Sequence, residues 1–352
     1  MNRINYFHSL IFFNICILLS AFDFLRNNDF LILSLFLILS LGISHGALDD
    51  LKGMKLLKIF KFNSIYLFYF FYILLGLIII LTWIIFPKFL LFVFLIVASY
   101  HFGKEDSEFI NLNSKNDLIY LFKGSLIVTA PLLFHKNETL KIFMDLNFDI
   151  SQSFFVSNEF IYLLVSLSFL SNIIISINKD INIKSLFFMD FISVLLINFF
   201  LQPILAFTIY FCFLHSVRHS FKLSNELNNK DFIKGIKKFI IRALPLTILT
   251  GILFLVSLFL LSNYYVLDTA ISKVIFIGLA SLTFPHILLE YLIEKMKNKN
   301  INLLGWVLFI ISAIGFTISS IGSFWAMFGS LFFLVACLVF LIPFFRKERN
   351  EK

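Results

Sequence analysis

Five of the seven histidines lie in short polar islands within long apolar runs: His45 in SHGALDD, His101 in SYHFGKED, His215 and His219 in LHSVRHS, and His286 in FPHILLEY. Neutral imidazole is the commonest side-chain ligand of metals and suits iron, zinc and copper. His215 and His219 are four residues apart, so a helix places both rings on one face, with Cβ atoms about 6 Å apart. One such pair is a weak signal alone. Single histidines at the matching ends of three other apolar segments turn it into a candidate for one shared intramembrane metal site, because polar groups inside a bilayer are costly and usually functional. Cys16, Cys212 and Cys337 are far apart, sit within apolar runs and form no CxxC. They exclude a zinc–thiolate site and read as small buried hydrophobes.

Carboxylates repeat at a fixed offset. Asp49 follows His45 by four residues, Glu105 follows His101 by four, and Glu290 follows His286 by four. A metal-bound histidine usually donates its other ring nitrogen to a carboxylate or carbonyl, which fixes tautomer and orientation. Asp49 and Glu105 are therefore expected to orient His45 and His101. The competing reading, ordinary acids at a membrane boundary, stays open and weighs more for Glu290. Asp50 and Asp106 read as solvated neighbours. Gly42, Gly46 and Gly103 flank the first two motifs, and small residues let membrane helices approach closely. Pro285 can kink its helix and aim His286. Arg218 reads as a plain cytoplasmic-side charge, and His8 and His135 have no partner motif.

The elements that must carry these residues follow from composition. The 352 residues are 60% hydrophobic and 14% charged, and mean hydropathy is +0.94. A soluble domain is roughly half apolar and a quarter charged. Apolar runs near the roughly 20 residues that span a bilayer recur throughout. The expected fold is all-α, a polytopic transmembrane bundle of 10–12 spans in a single integral membrane domain over 1–352. The motif-bearing core is expected over about 29–295, with a C-terminal two-helix extension over 300–345. Twelve segments are expected: 6–22, 30–48, 64–86, 88–103, 118–135, 156–177, 186–200, 203–219, 243–262, 270–290, 303–321 and 324–345. Gln202-Pro203 is the expected turn between the seventh and eighth. The first run lacks a small-residue cleavage site and reads as a span rather than a signal peptide.

Positive charges set the orientation. Lys52, Lys55, Lys58 and Lys61, then the Arg218–Arg242 stretch, and then the basic C-terminus are separated by even numbers of spans. All fit the cytoplasm, with both termini there. Of the 29 Lys and Arg, all but Arg26, Lys88, Lys136, Lys141 and Lys273 then lie on that side. The loop near 136–155, carrying Glu138, Asp145 and Asp149, fits the outside. The five motif histidines fall together at the cytoplasmic ends of even-numbered spans. The net charge of +8 belongs to that surface and calls for no nucleic acid.

At HGALDD, SYHFG with ED, LHSVRH and PHILLE the chain resembles the bacteriorhodopsin-related, Brp/Blh-type β-carotene 15,15′-dioxygenases, from about Gly42 to Glu290. The resemblance implies iron(II), Fe(2+), held by His45, His101, His215 and His219, with His286 near the substrate or metal. It implies cleavage of β-carotene by O2 at the central double bond into two all-trans-retinal molecules, which would serve a microbial rhodopsin in the same inner or plasma membrane. β-Carotene dissolves in the lipid bilayer, so a helical bundle can admit it sideways. Tyr100, Phe102 and Phe284 are candidate tunnel residues, with plain helix packing as the alternative. Two other classes compete. A membrane di-iron desaturase or hydroxylase typically needs about eight clustered histidines, and this chain has seven with one HxxxH. A metal transporter favours polar residues on a through-path at mid-membrane, whereas here they gather at one end.

Overall fold

In lipid every backbone N–H and C=O must be paired internally, and a run of apolar residues does this as a helix. The computed structural model describes residues 2–26, 28, 30–59, 62, 64–110, 117–295 and a few isolated positions between 309 and 337; of Asn2, His45, Ala47, Ile59 and Lys295 it describes the backbone alone. In chain order the helices are α1 (Asn2–Ser20), the short α2 (Asp23–Arg26), α3 (Leu31–Leu37), α4 (Asp49–Ile59), α5 (Ile65–Ile85), α6 (Pro87–Glu105), α7 (Asp117–Phe134), α8 (Lys136–Asp145), α9 (Asn158–Ser176), α10 (Ile181–Phe200), α11 (Pro203–Ile209), α12 (Val217–Leu227), α13 (Phe232–Leu261) and α14 (Leu267–Lys295). The link from α3 to α4 is wound first as a π-helix, Ile38–Gly42, and then as a 3-10 helix, Ile43–Leu48. A second π-helix, Tyr210–Ser216, joins α11 to α12.

Among the described residues, nine helices are long and apolar enough to cross a membrane, and Leu31–Gly42 is a shorter apolar one. The chain is a multi-pass membrane protein. The expected spans 303–321 and 324–345 fall almost wholly outside the described residues. The break between the seventh and eighth spans stands where expected: Leu201 and Gln202 are extended, and Pro203 opens the next helix. Proline suits that first position because the N–H it lacks would have no partner there.

Two expectations change. The 136–155 segment is more than a loop, since it holds α8, whose Thr139, Leu140 and Phe143 are buried. The histidine helices also run further than hydropathy indicates. α12 continues to Leu227 and α14 to Lys295, so His219 and His286 stand two to three turns before the helix ends. The charged residues after each histidine close the apolar window without breaking the helix. At the start of α13, the Lys234 N–H donates to Asp231 Oδ1 at 3.1 Å. That bond holds the Asp231 carboxyl below the usual range, and the negative charge suits a helix N-terminus.

The chain divides into two units, Met1–Met54 with Asn63–Ile287 and Lys55–Phe62 with Leu288–Lys352. The side-chain cluster described below lies in the first. There α6 and α7 meet backbone to backbone. A Cβ on Gly103 would stand 1.8 Å from the Tyr120 carbonyl oxygen, and one on Gly124 would stand 1.9 Å from that of Ser99. Gly42 likewise admits the Phe211 ring, whose nearest carbon would be 2.6 Å from an added Cβ. Gly46 has ordinary spacing, with Asp49 Oδ2 at 3.8 Å. Backbone cannot swing aside as a side chain does. Gly103→Val or Gly124→Val should therefore cost at least the roughly 1–3 kcal/mol of overpacking. Thermal unfolding in detergent checks this, with Gly251→Val, where an added Cβ meets nothing within 4 Å, as the comparison.

Candidate metal centre

His101 lies on the last turn of α6, one turn before Glu105, the final residue of that helix. His215 lies in the π-helix and His219 on the first turn of α12. His286 follows Pro285 on α14. Four imidazoles from three helical rods thus meet. Ring centroids are 5.4 Å apart for His101 and His215, 5.3 Å for His101 and His286, and 6.0 Å for His219 and His286. All four residues are buried.

The Glu105 carboxylate stands among them. Its Oε2 is 3.5 Å from His101 Nε2, 3.5 Å from His215 Nε2 and 3.1 Å from His219 Nδ1, while Oε1 is 3.5 Å from His286 Nε2. The i, i+4 approach to His101 is as expected, but Glu105 faces three other histidines as well.

Two of the imidazoles are held from behind in the same way. The His286 Nδ1–H donates to Asp49 at 2.8 Å, and Asp49 also accepts the Tyr72 hydroxyl at 2.9 Å. The His215 Nδ1–H donates to Asp106 Oδ1 at 3.0 Å, and Asp106 Oδ2 accepts the Tyr210 hydroxyl at 2.6 Å. Each set is a tyrosine, an aspartate and a histidine in series. An ionised carboxylate can only accept, so Nδ1 carries the proton, and Nε2 is turned toward Glu105. That is the tautomer a metal requires, and a carboxylate behind it is the usual support.

Sequence spacing therefore named the right kind of group and the approach of Glu105 to His101, but not the partner that Asp49 has across the bundle. Asp49 serves His286, which is 237 positions away, whereas its expected partner was His45. The backbone of His45 lies in the 3-10 turn Ile43–Leu48, and its side chain lies outside the described part of the structure. Asp106, expected to be solvated, is 5% exposed and bonded to His215. The one signal that could have found it is the acidic pair Glu105-Asp106 at a helix end.

Arg218 is also not a free surface charge. It is 3% exposed. It donates to both Asp190 oxygens at 2.8 and 3.2 Å, to Ser9 Oγ at 2.8 Å and to the Asp106 carbonyl at 3.3 Å. Asp106, Lys123, Asp190 and Tyr210 share the lining of a small, mostly apolar cavity. Buried charges persist only when paired and bonded in this way. His8 binds the Phe213 carbonyl of the π-helix at 2.8 Å, a long-range tie with no sequence signature.

The other expected site residues divide. Phe102 is buried, with its ring edge-on to His215 at 4.8 Å. Phe284 is partly buried and packs on Phe94 at 6.2 Å. Tyr100 turns instead to Asp117, to which its hydroxyl donates at 3.1 Å, and its ring meets the Lys104 ammonium. On the other side of Phe102 and Phe211 lies an apolar chamber between α6, α7, α8, α11 and α14. It encloses about 740 Å³ of non-atom space, its open mouth included.

The donor set fits a metal ion. One ligand atom each from His101, Glu105 and His286 lie within 4.8 Å of one another. Two bonds of about 2.0–2.2 Å set the widest separation on one small ion at about 4.4 Å, a few tenths less. A mixed imidazole and carboxylate set suits iron as well as other first-row metals.

Fold and cluster together define a multi-pass membrane protein with a buried histidine–carboxylate centre. A family model described as Beta-carotene 15,15′-dioxygenase matches residues 36–294, well over half of the chain. The chain belongs to that family, as the resemblance of its motifs indicates. A similar protein is the Beta-carotene 15,15′-dioxygenase of an uncultured marine bacterium, 66A03. It is 27% identical over 274 residues, covering 75% of this chain and 94% of the relative. No solved structure matches.

Proposed function

We propose that this protein cleaves β-carotene with O2 at the 15,15′ double bond, giving two molecules of all-trans-retinal. One oxygen atom goes to each carbon of the broken bond, so no outside reductant is needed. The observation that carries this reading is the convergence of His101, His215, His219 and His286 on Glu105, inside the region that matches the family model. The same match favours it over a desaturase or a metal transporter.

The proposed metal is iron(II), held by His45, His101, His215 and His219, with His286 and Glu105 as further donors. Iron would supply the binding and activation of O2; the residues do the rest. Asp49 and Asp106 keep the Nδ1 protons of His286 and His215 in place, so that Nε2 stays available as a ligand. Phe102 and Phe211 exclude water from the side facing the apolar chamber, both rings lying against His215. The proposed orientation keeps the histidine end cytoplasmic in the inner or plasma membrane, where retinal released into the bilayer can reach a rhodopsin.

The test is expression in bacteria that accumulate β-carotene. The expected result is loss of orange colour with retinal as the product. In purified protein, a chelator should remove iron and abolish cleavage, and iron(II) but not zinc should restore it. Persistence of β-carotene with abundant, iron-loaded protein would refute the reading.

A further inference from the structure

The apolar chamber has a definite length and a definite end. Its α6 wall is Phe94, Ala98 and Phe102, one face of the helix at i, i+4 and i+8. Phe102 and Phe211 line its histidine end, where their ring centroids lie 4.8 and 5.8 Å from that of His215. At the opposite end Thr139, Ile142 and Phe143 of α8 line it. α7 runs away from the histidine end and α8 follows it directly, so α8 lies across the far end. Phe211, Phe207 and Phe276 stack in sequence along the side, with centroids 5.5 and 6.2 Å apart. The Thr139 hydroxyl donates to the His135 carbonyl at 2.8 Å, which leaves an apolar surface towards the chamber.

The length can be compared with the substrate. From Pro203, in the far wall, to Phe211 is eight residues of nearly continuous helix, about 12 Å, and to His215 beyond it twelve, about 18 Å. An all-trans polyene advances about 3.8 Å per three bonds, as a trans peptide does between Cα atoms, so the nine bonds from C15 to the ring span about 11 Å. The ring adds roughly 4 Å, for about 15 Å in all. Half a β-carotene molecule therefore matches the distance from α8 to the metal centre, its last bonds passing between Phe102 and Phe211, and a whole one exceeds it.

We propose that α8 is the end stop that selects the bond to be cut. The ring of one carotenoid half seats against Thr139, Ile142 and Phe143, and the chamber length then brings the 15,15′ bond to the histidines. This inference rests on the carotenoid reading above and adds the residues that fix the position of cleavage.

The experiment reads product length. Thr139→Trp and Ile142→Phe raise the floor, and Phe143→Ala lowers it. Each should move the polyene by one double bond, so that cleavage falls at 13,14 in place of 15,15′. The product then changes from one C20 aldehyde to an unequal pair, a C18 ketone and a C22 aldehyde, whose atoms still sum to β-carotene plus O2. The unequal pair is expected to rise at least tenfold relative to retinal in at least one floor-raising variant and in Phe143→Ala. Met144→Ala, on the exposed side of α8, should give retinal alone. Each variant is compared at equal amounts of monodisperse protein in detergent. Retinal as the sole product of all three variants would overturn the end stop. So would total loss of cleavage by well-folded Thr139→Trp and Ile142→Phe, which would make α8 a gate. Absence of any cleavage by the unmodified protein would instead refute the activity itself.

Discussion

His286→Ala is expected to lose bound iron and retinal formation as completely as His215→Ala, with both falling to background. The motif resemblance places His286 only near the site, but the geometry treats the two residues alike. Each has its Nδ1 on an aspartate at 2.8–3.0 Å, that aspartate accepts a tyrosine hydroxyl, and each Nε2 stands 3.5 Å from Glu105. A histidine held this way on both sides of the cluster is a ligand candidate on both sides. Metal analysis of equal amounts of purified variants decides the point. If His286→Ala kept full iron, His286 would be a substrate-facing residue instead. Iron content, unlike turnover, would not fall merely because substrate binds badly.

Glu105→Gln should reduce retinal formation by more than 100-fold and release most of the iron. Asp49→Asn and Asp106→Asn should stay within the roughly 10–100-fold loss typical of a group that orients a ligand. Glu105 is the only described carboxylate facing all four imidazoles, whereas Asp49 and Asp106 touch theirs from behind. An amide keeps the shape of the carboxylate but brings no charge to a metal and directs N–H groups at nitrogens that should ligate. Iron content and retinal yield across the three variants rank the carboxylates. Iron retained at the unmodified level in Glu105→Gln would move Glu105 out of the coordination sphere.

The sequence made the spans up to residue 295 legible, because a bilayer-length apolar run has few alternatives, and it made the break at Gln202-Pro203 legible because proline opens helices. It also brought His101, His215, His219 and His286 together in advance, since polar residues at matching ends of apolar runs must share a depth. The approach of Glu105 to His101 was legible too, but the pairings across the bundle were not. Spacing of four residues describes neighbours on one helix, but Asp49 reaches His286 and Asp106 reaches His215 across the bundle. Arg218 was misread for a related reason. Charge statistics assign a lone arginine near a helix end to the surface, while its partner Asp190 lies on α10 inside an apolar run. The inner wall of Gly103 and Gly124 was half visible, because only the first of the two stands beside a motif.

The π-helical turn at Tyr210–Ser216 gives this stretch room for a change of one residue in chain length. A π turn is an α-helix that has absorbed an extra residue, and each residue of an α-helix rotates the chain by about 100°. Deleting a single amino acid between Tyr210 and Leu214 would restore regular winding and leave the flanking turns nearly in register, so that His215, His219 and the Phe207 wall keep their directions. The same deletion in the regular turns beside it has no such slack and would swing one side through that angle. Gly42, whose carbonyl accepts the Ser216 hydroxyl at 3.0 Å, closes the other π segment against this one, so the two irregular windings are keyed together. In any set of related chains, single-residue gaps should collect at these two windings rather than in the regular turns beside them.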